Sequence, residues 1–108
     1  SGEEDVQKTL SDEEQLVKLL QQTRIALRNG KLSRRMLANV YEALYYGNYN
    51  EDTVRQLIRK RRILKYCARL QHILAQRYSL GEGYMITEPL DDNETLKMTN
   101  TLTKLQIQ

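Results

Sequence analysis

The chain has 108 residues, 17 Lys and Arg against 14 Asp and Glu, and a formal net charge of +3. Trp and Phe are absent, and a single Cys excludes a disulfide framework, so Leu, Ile, Val, Met and Tyr must supply one modest core. No apolar run approaches the roughly 20 residues needed to span a bilayer, so an intracellular, soluble protein with no membrane partner is expected.

Residues 1–10 are acidic and read as disordered. Ser11-Asp12-Glu13-Glu14 is a capping box, with Ser11 as N-cap and Glu14 three residues into the helix. A first helix from about Asp12 to Arg28 follows, with Leu16, Leu19, Leu20, Thr23 and Leu27 on its buried stripe. Asn29-Gly30 ends it, because Gly30 can take the left-handed conformation just past a helix. Ser33 caps a second helix running to about Tyr46, with Met36, Leu37, Val40, Ala43 and Leu44 at helical spacing. Asn50, followed by Glu51 and Asp52, caps a third.

The stretch from Val54 to Leu74 is helical throughout, yet its apolar stripe changes face. At 100° per residue Val54, Leu57 and Ile58 share one side, whereas Ile63, Cys67, Leu70, Ile73 and Leu74 point nearly opposite. A straight helix would need two cores. A break between Arg59 and Leu64 needs one, and it pushes Arg59, Lys60, Arg61 and Arg62 out at a corner. A fourth helix then runs to about Ser79, and Gly81-Glu82-Gly83 closes the bundle.

The tail carries Leu96, Met98, Leu102, Leu105 and Ile107 on one potential helical face, but Thr95, Thr99, Thr101 and Thr103 lower its helix propensity. The expected architecture is therefore all-α: a compact right-handed bundle of four helices over 11–83, with flexible termini. Residues 84–108 are expected as a flexible or loosely docked tail, a fifth helix being the alternative.

Charge is divided along the chain. Between Gln15 and Leu80 there are fourteen Lys and Arg against Glu42, Glu51 and Asp52, and the acids concentrate in the flanks. A basic body favours an anionic partner, either acidic peptide or nucleic acid, over a merely solvated surface. Arg59, Lys60, Arg61 and Arg62 are the candidates for a weak nucleic-acid contact. Helices two and three, joined through Gly47, match a helix-turn-helix in loop length only. Acidic peptide is preferred, since a corner between helices makes a local pocket.

Nothing points to catalysis. His72 has no second His or Cys at metal-ligand spacing, Ser79 has no base partner, and Asp91-Asp92 is expected in a loop. No enzyme, metal or cofactor is expected. Cys67 sits on an apolar face and reads as a small core residue. Tyr41, Tyr45, Tyr46 and Tyr49 cluster at the end of the second helix, either as core-edge packing or as an aromatic rim for a partner.

The series Leu27-Arg28-Asn29-Gly30-Lys31-Leu32, Glu42-Ala43-Leu44, Ile58-Arg59-Lys60-Arg61-Arg62 and Leu80-Gly81-Glu82-Gly83, with Ile86-Thr87 following, covers roughly Glu14 to Thr87. It resembles the integrase-binding domain of lens epithelium-derived growth factor and its hepatoma-derived-growth-factor relative, a bundle related to the N-terminal domain of transcription elongation factor S-II. In the family, the first loop carries an apolar residue followed by aspartate, where Asn29-Gly30 stands here. The second carries an aromatic where Ile63 stands. The resemblance implies a nuclear, chromatin-associated adaptor that receives short acidic, disordered peptides across two inter-helix loops. By position the peptide-binding residues would be Asn29, Lys31, Leu32, Arg61, Arg62, Ile63 and Leu64, with Ile63 and Leu32 as apolar floor. The alternatives are a small basic nucleic-acid-binding domain and a structural subunit of a larger assembly.

Overall fold

The computed structural model describes residues 10–79 and 86–107, with side chains as far as 104. Five helices account for most of them: α1 (Asp12–Arg28), α2 (Arg34–Tyr46), α3 (Glu51–Lys60), α4 (Leu64–Tyr78) and α5 (Asn93–Ile107). No strand occurs among the described residues. The expected glycine stop at 81–83 lies outside them.

Local chemistry sets the helix starts. Ser11 Oγ accepts the Glu14 N–H at 3.1 Å, Ser33 Oγ accepts that of Met36 at 3.1 Å, and Asn50 Oδ1 accepts that of Thr53 at 2.9 Å. After α1, Gly30 at φ 67° lets the Gly30 N–H reach Leu27 O at 3.2 Å and the Lys31 N–H reach Ala26 O at 2.8 Å. This pair of bonds is a Schellman motif. The same motif ends α3: Arg62 N–H bonds Arg59 O at 3.1 Å and Ile63 N–H bonds Ile58 O at 3.0 Å. Here the left-handed position, at φ 58°, is occupied by Arg62.

The break at Arg61–Ile63 lets two apolar stripes enter one core. Val54 and Ile58 from α3 are fully buried, as are Ile63, Cys67, Leu70 and Leu74 from the corner and α4. They meet Leu16, Val17 and Leu20 of α1 and Leu37 and Val40 of α2. Thr23 Oγ1 donates to Leu20 O, which leaves Tyr66 to donate its hydroxyl to Thr23 across 2.7 Å. Burial pushes both the Tyr66 hydroxyl and the Cys67 thiol up to about 12.

Helices α1 and α3 run in the same direction. Glu13 of the first turn of α1 accepts the backbone N–H of Asn50, the N-cap of α3, at 3.1 Å. Further along, Arg61 at the end of α3 donates to Gln21 of α1 at 3.2 Å. Parallel packing gathers Asp12, Glu13, Glu14, Glu51 and Asp52 at one end of the bundle. It gathers Arg28, Lys31 and Arg59 to Arg62 at the other.

Residues 86–92 strap back across α4. Gln71 accepts the Ile86 N–H at 2.7 Å and bonds the Thr87 hydroxyl, Arg55 donates to Ile86 O at 3.1 Å, and Leu90 N–H reaches Ala68 O at 3.2 Å. The segment expected as a tail then forms α5. Asp92 Oδ1 accepts the Thr95 N–H and Thr95 Oγ1 accepts the Asp92 N–H, each at 3.1 Å, making a reciprocal cap. Arg69 clamps the same carboxylate with Nε at 3.0 Å and Nη2 at 2.8 Å, which holds Asp92 well below the usual carboxylate range. Leu102 and Thr95 are buried against the bundle. The threonine hydroxyls that argued against a helix bond the carbonyls four residues back, Thr99 to Thr95 at 3.0 Å and Thr103 to Thr99 at 2.9 Å. A cap, an ion pair and a buried leucine offset the weak propensity.

Candidate functional site

The basic end of the bundle is built by two Schellman turns. The first presents Asn29 and Lys31, the second Arg61 and Arg62, and all four are exposed. Arg59 and Lys60 are exposed on the last turn of α3. Part of this charge has a structural explanation, since Arg28, Arg59 and Lys60 sit at the negative ends of helix dipoles. Arg62 has none of that kind. It adopts a backbone conformation that costs a non-glycine residue, and its side chain has no hydrogen-bond or ion-pair partner among the described residues.

The start of α4 lies in the same corner. Its N-cap position is Ile63, which supplies no side-chain hydrogen bond. The first N–H groups of α4 therefore lack a capping side chain, at the positive end of a dipole flanked in sequence by Arg61, Arg62 and Lys65. Such a start favours a carboxylate or phosphate.

The apolar floor does not lie where residue order places it. Leu32 is 3% exposed and Ile63 2% exposed, so both belong to the core. Their neighbours explain this: Ile63 closes the Schellman turn with its N–H on Ile58 O, which points its side chain inward with the α3 stripe. Leu64, only half-buried, is the apolar member of the expected set that remains accessible. It lines a groove of about 920 Å³ between α3, α4 and the strap, together with Ala68, Pro89, Leu90, Arg59 and Lys65. The floor of that groove is apolar, and its rim carries three cations, Arg55 being the third, and one carboxylate, Glu88. On the other flank of the corner Ile25 is 58% exposed, one turn beyond the Gln21 that receives Arg61.

Lys65, Ala68, Pro89 and Leu90 are members that residue reading missed. Leu64 and Ala68 at i, i+4 with Lys65 between them was the available local signal. The strap residues had none, because Gln71 and Arg55 place them from a distance.

At the far end of α2 the tyrosines form a stack. Tyr41 lies between Tyr78 of α4, with ring centroids 4.0 Å apart, and Tyr45, 5.5 Å away. Tyr46 meets Tyr41 and Tyr45 edge-on. Desolvation, with the neighbouring tyrosines, raises the Tyr41 hydroxyl above its ordinary value. Tyr49 turns away and donates to Leu44 O at 2.6 Å. His72 Nε2 lies 3.5 Å from Asp91 Oδ2. No three His, Cys, Asp or Glu side chains gather to hold a metal, and no helix is long and apolar enough to cross a membrane, among the described residues.

No family model, curated protein or solved structure matches this chain.

Proposed function

We propose that this chain is a protein–protein interaction module that binds short acidic, disordered peptides at its basic corner. The observation that carries the reading is the groove beside that corner. Leu64, Ala68, Pro89 and Leu90 offer an apolar floor, Arg55, Arg59 and Lys65 a rim of three cations against the one carboxylate of Glu88, and the uncapped start of α4 a set of N–H donors. A peptide with an apolar side chain flanked by Asp or Glu satisfies all three. The charges supply rate and orientation, and the floor supplies discrimination. Affinity about micromolar is expected, because a disordered partner loses conformational freedom on binding. A nuclear, transcription-associated adaptor is the setting that the resemblance implies for such a module.

A second reading, nucleic-acid binding, is favoured by one observation: the corner itself is basic without an apolar floor, since Leu32 and Ile63 are buried. Salt separates the two. Duplex DNA binding weakens steeply and log-linearly as salt rises, whereas a peptide seated in an apolar groove weakens less. Titrating a fluorescent acidic, leucine-containing peptide and a duplex of equal charge into the protein at low and physiological salt decides between them. The peptide reading is lost if only the duplex binds.

A further inference from the structure

The tyrosine stack at the end of α2 shares no residue with the corner. Tyr46 is 73% exposed, and it stands edge-on to Tyr41 at 6.2 Å and to Tyr45 at 4.9 Å. Clustered, exposed tyrosine is the composition of interface hot spots, since a rigid ring offers area at small entropic cost.

Three observations give the surface a sign. First, α2 has no basic residue in its last turn, whereas α1 has Arg28, α3 Arg59 and Lys60, α4 Arg77 and α5 Lys104. The negative end of its dipole is left without the cation that the other four helices supply. Second, Glu42 is exposed, lies three and four residues before Tyr45 and Tyr46, and so shares their part of the helix surface. It has no ion-pair partner among the described residues. Third, the stack already receives a guanidinium: Arg77 Cζ lies 5.8 Å from the centroid of Tyr78, at the end of the stack opposite Tyr45. Ring faces carry negative quadrupole density, so dipole, carboxylate and rings all favour a cation at the Tyr45–Tyr46 end.

We infer that this surface docks an arginine-bearing segment of a partner protein. A guanidinium stacks on the tyrosine rings while its N–H groups reach Glu42 and the last carbonyls of α2. Arginine suits the site better than lysine, because its planar, weakly hydrated head can stack and donate at once. The chain would then hold an acidic segment at one end and a basic segment at the other.

The test is a titration followed on the tyrosine ring resonances and backbone amides of the protein. The probes are a blocked Gly-Arg-Gly-Arg-Gly peptide and its Gly-Glu-Gly-Glu-Gly counterpart. The arginine peptide should give saturating shifts at Tyr41, Tyr45 and Tyr46, and the glutamate peptide should leave those rings unmoved. Tyr46→Ala should weaken the arginine peptide about two- to fivefold, the factor expected of one exposed cation–π contact. Glu42→Gln, which leaves every ring in place, should weaken it about two- to threefold. The inference is overturned if the arginine peptide shifts only Asp12 to Glu14 and Glu51 to Asp52, or if neither substitution weakens it. It is also overturned if concentrating the protein alone produces the same tyrosine shifts, which would make the occupant a second copy of this chain.

Discussion

Arg62 sits where a glycine would be cheaper, and replacing it separates stability from binding. In the left-handed region an ordinary residue carries about 1–2 kcal/mol of strain, which glycine avoids. Glycine instead loses about 0.5–1 kcal/mol through the extra freedom of the unfolded chain. No side-chain partner of Arg62 among the described residues is given up, so the difference stands nearly alone. Arg62→Gly should therefore stabilise the bundle by about 0.5–1 kcal/mol. That gain raises the melting temperature by about 2–8 °C for a domain of this size. The same substitution removes a cation from the peptide corner, so acidic-peptide affinity should fall about two- to fivefold. Thermal unfolding and a binding isotherm on one preparation read both effects. A variant that is destabilised would show that the turn does not need the left-handed conformation at Arg62. A variant that is stabilised but binds unchanged would remove Arg62 from the site.

Neighbouring positions should respond in opposite ways. Ile63→Ala empties a fully buried site and should cost about 2–5 kcal/mol in urea unfolding, whereas Leu64→Ala, half-buried, should cost less than about 1.5 kcal/mol and weaken peptide binding. Leu102→Ala should lose about 2 kcal/mol; no loss would mean that α5 does not complete the core. The Asp92 carboxyl is depressed by Arg69, so its contribution is present above the unfolded value near 3.9 and disappears as pH falls below it. Asp92→Asn should accordingly flatten the acid limb of stability below about pH 4, and a wild-type slope in the variant would contradict the pairing. Cys67 behaves in the reverse sense: its thiol keeps its proton up to about 12 when folded, while the unfolded thiol ionises near 8.5. Stability should decline as pH rises above about 8.5, less so in Cys67→Ala, and a thiol reagent at pH 8 should modify the native protein only as fast as it opens.

Residue order carried much of the fold because the signals were local. Ser11, Ser33 and Asn50 cap the helices that their positions predict, and Gly30 ends α1 as its left-handed freedom allows. The jump of the apolar stripe placed the break between α3 and α4, since only a turn lets Ile58 and Leu70 share one core. Where the deciding contact was distant, the reading failed. Asp92 does lie in a loop, as expected, but its clamp by Arg69, 23 residues away, left no local signal. Tyr78 joins Tyr41 only once α4 folds beside α2. Ile63 and Leu32 sit in exposed turns, yet backbone bonds within those turns send both side chains inward. The basic corner was readable as charge, but its groove needed the strap, and Gln71 and Arg55 are what place the strap.

The decisive question is where an acidic peptide sits on the bundle. An amide-shift titration of the labelled protein with a disordered peptide carrying Asp or Glu around one leucine tests this most directly. The predicted result is saturable shifts at Arg59, Arg62, Leu64, Lys65, Ala68 and Leu90, with little change at Ile25 and none at Tyr46. Shifts confined to the Ile25 flank of α1 or spread over helix faces away from the corner, or binding of duplex DNA in place of the peptide, would contradict it.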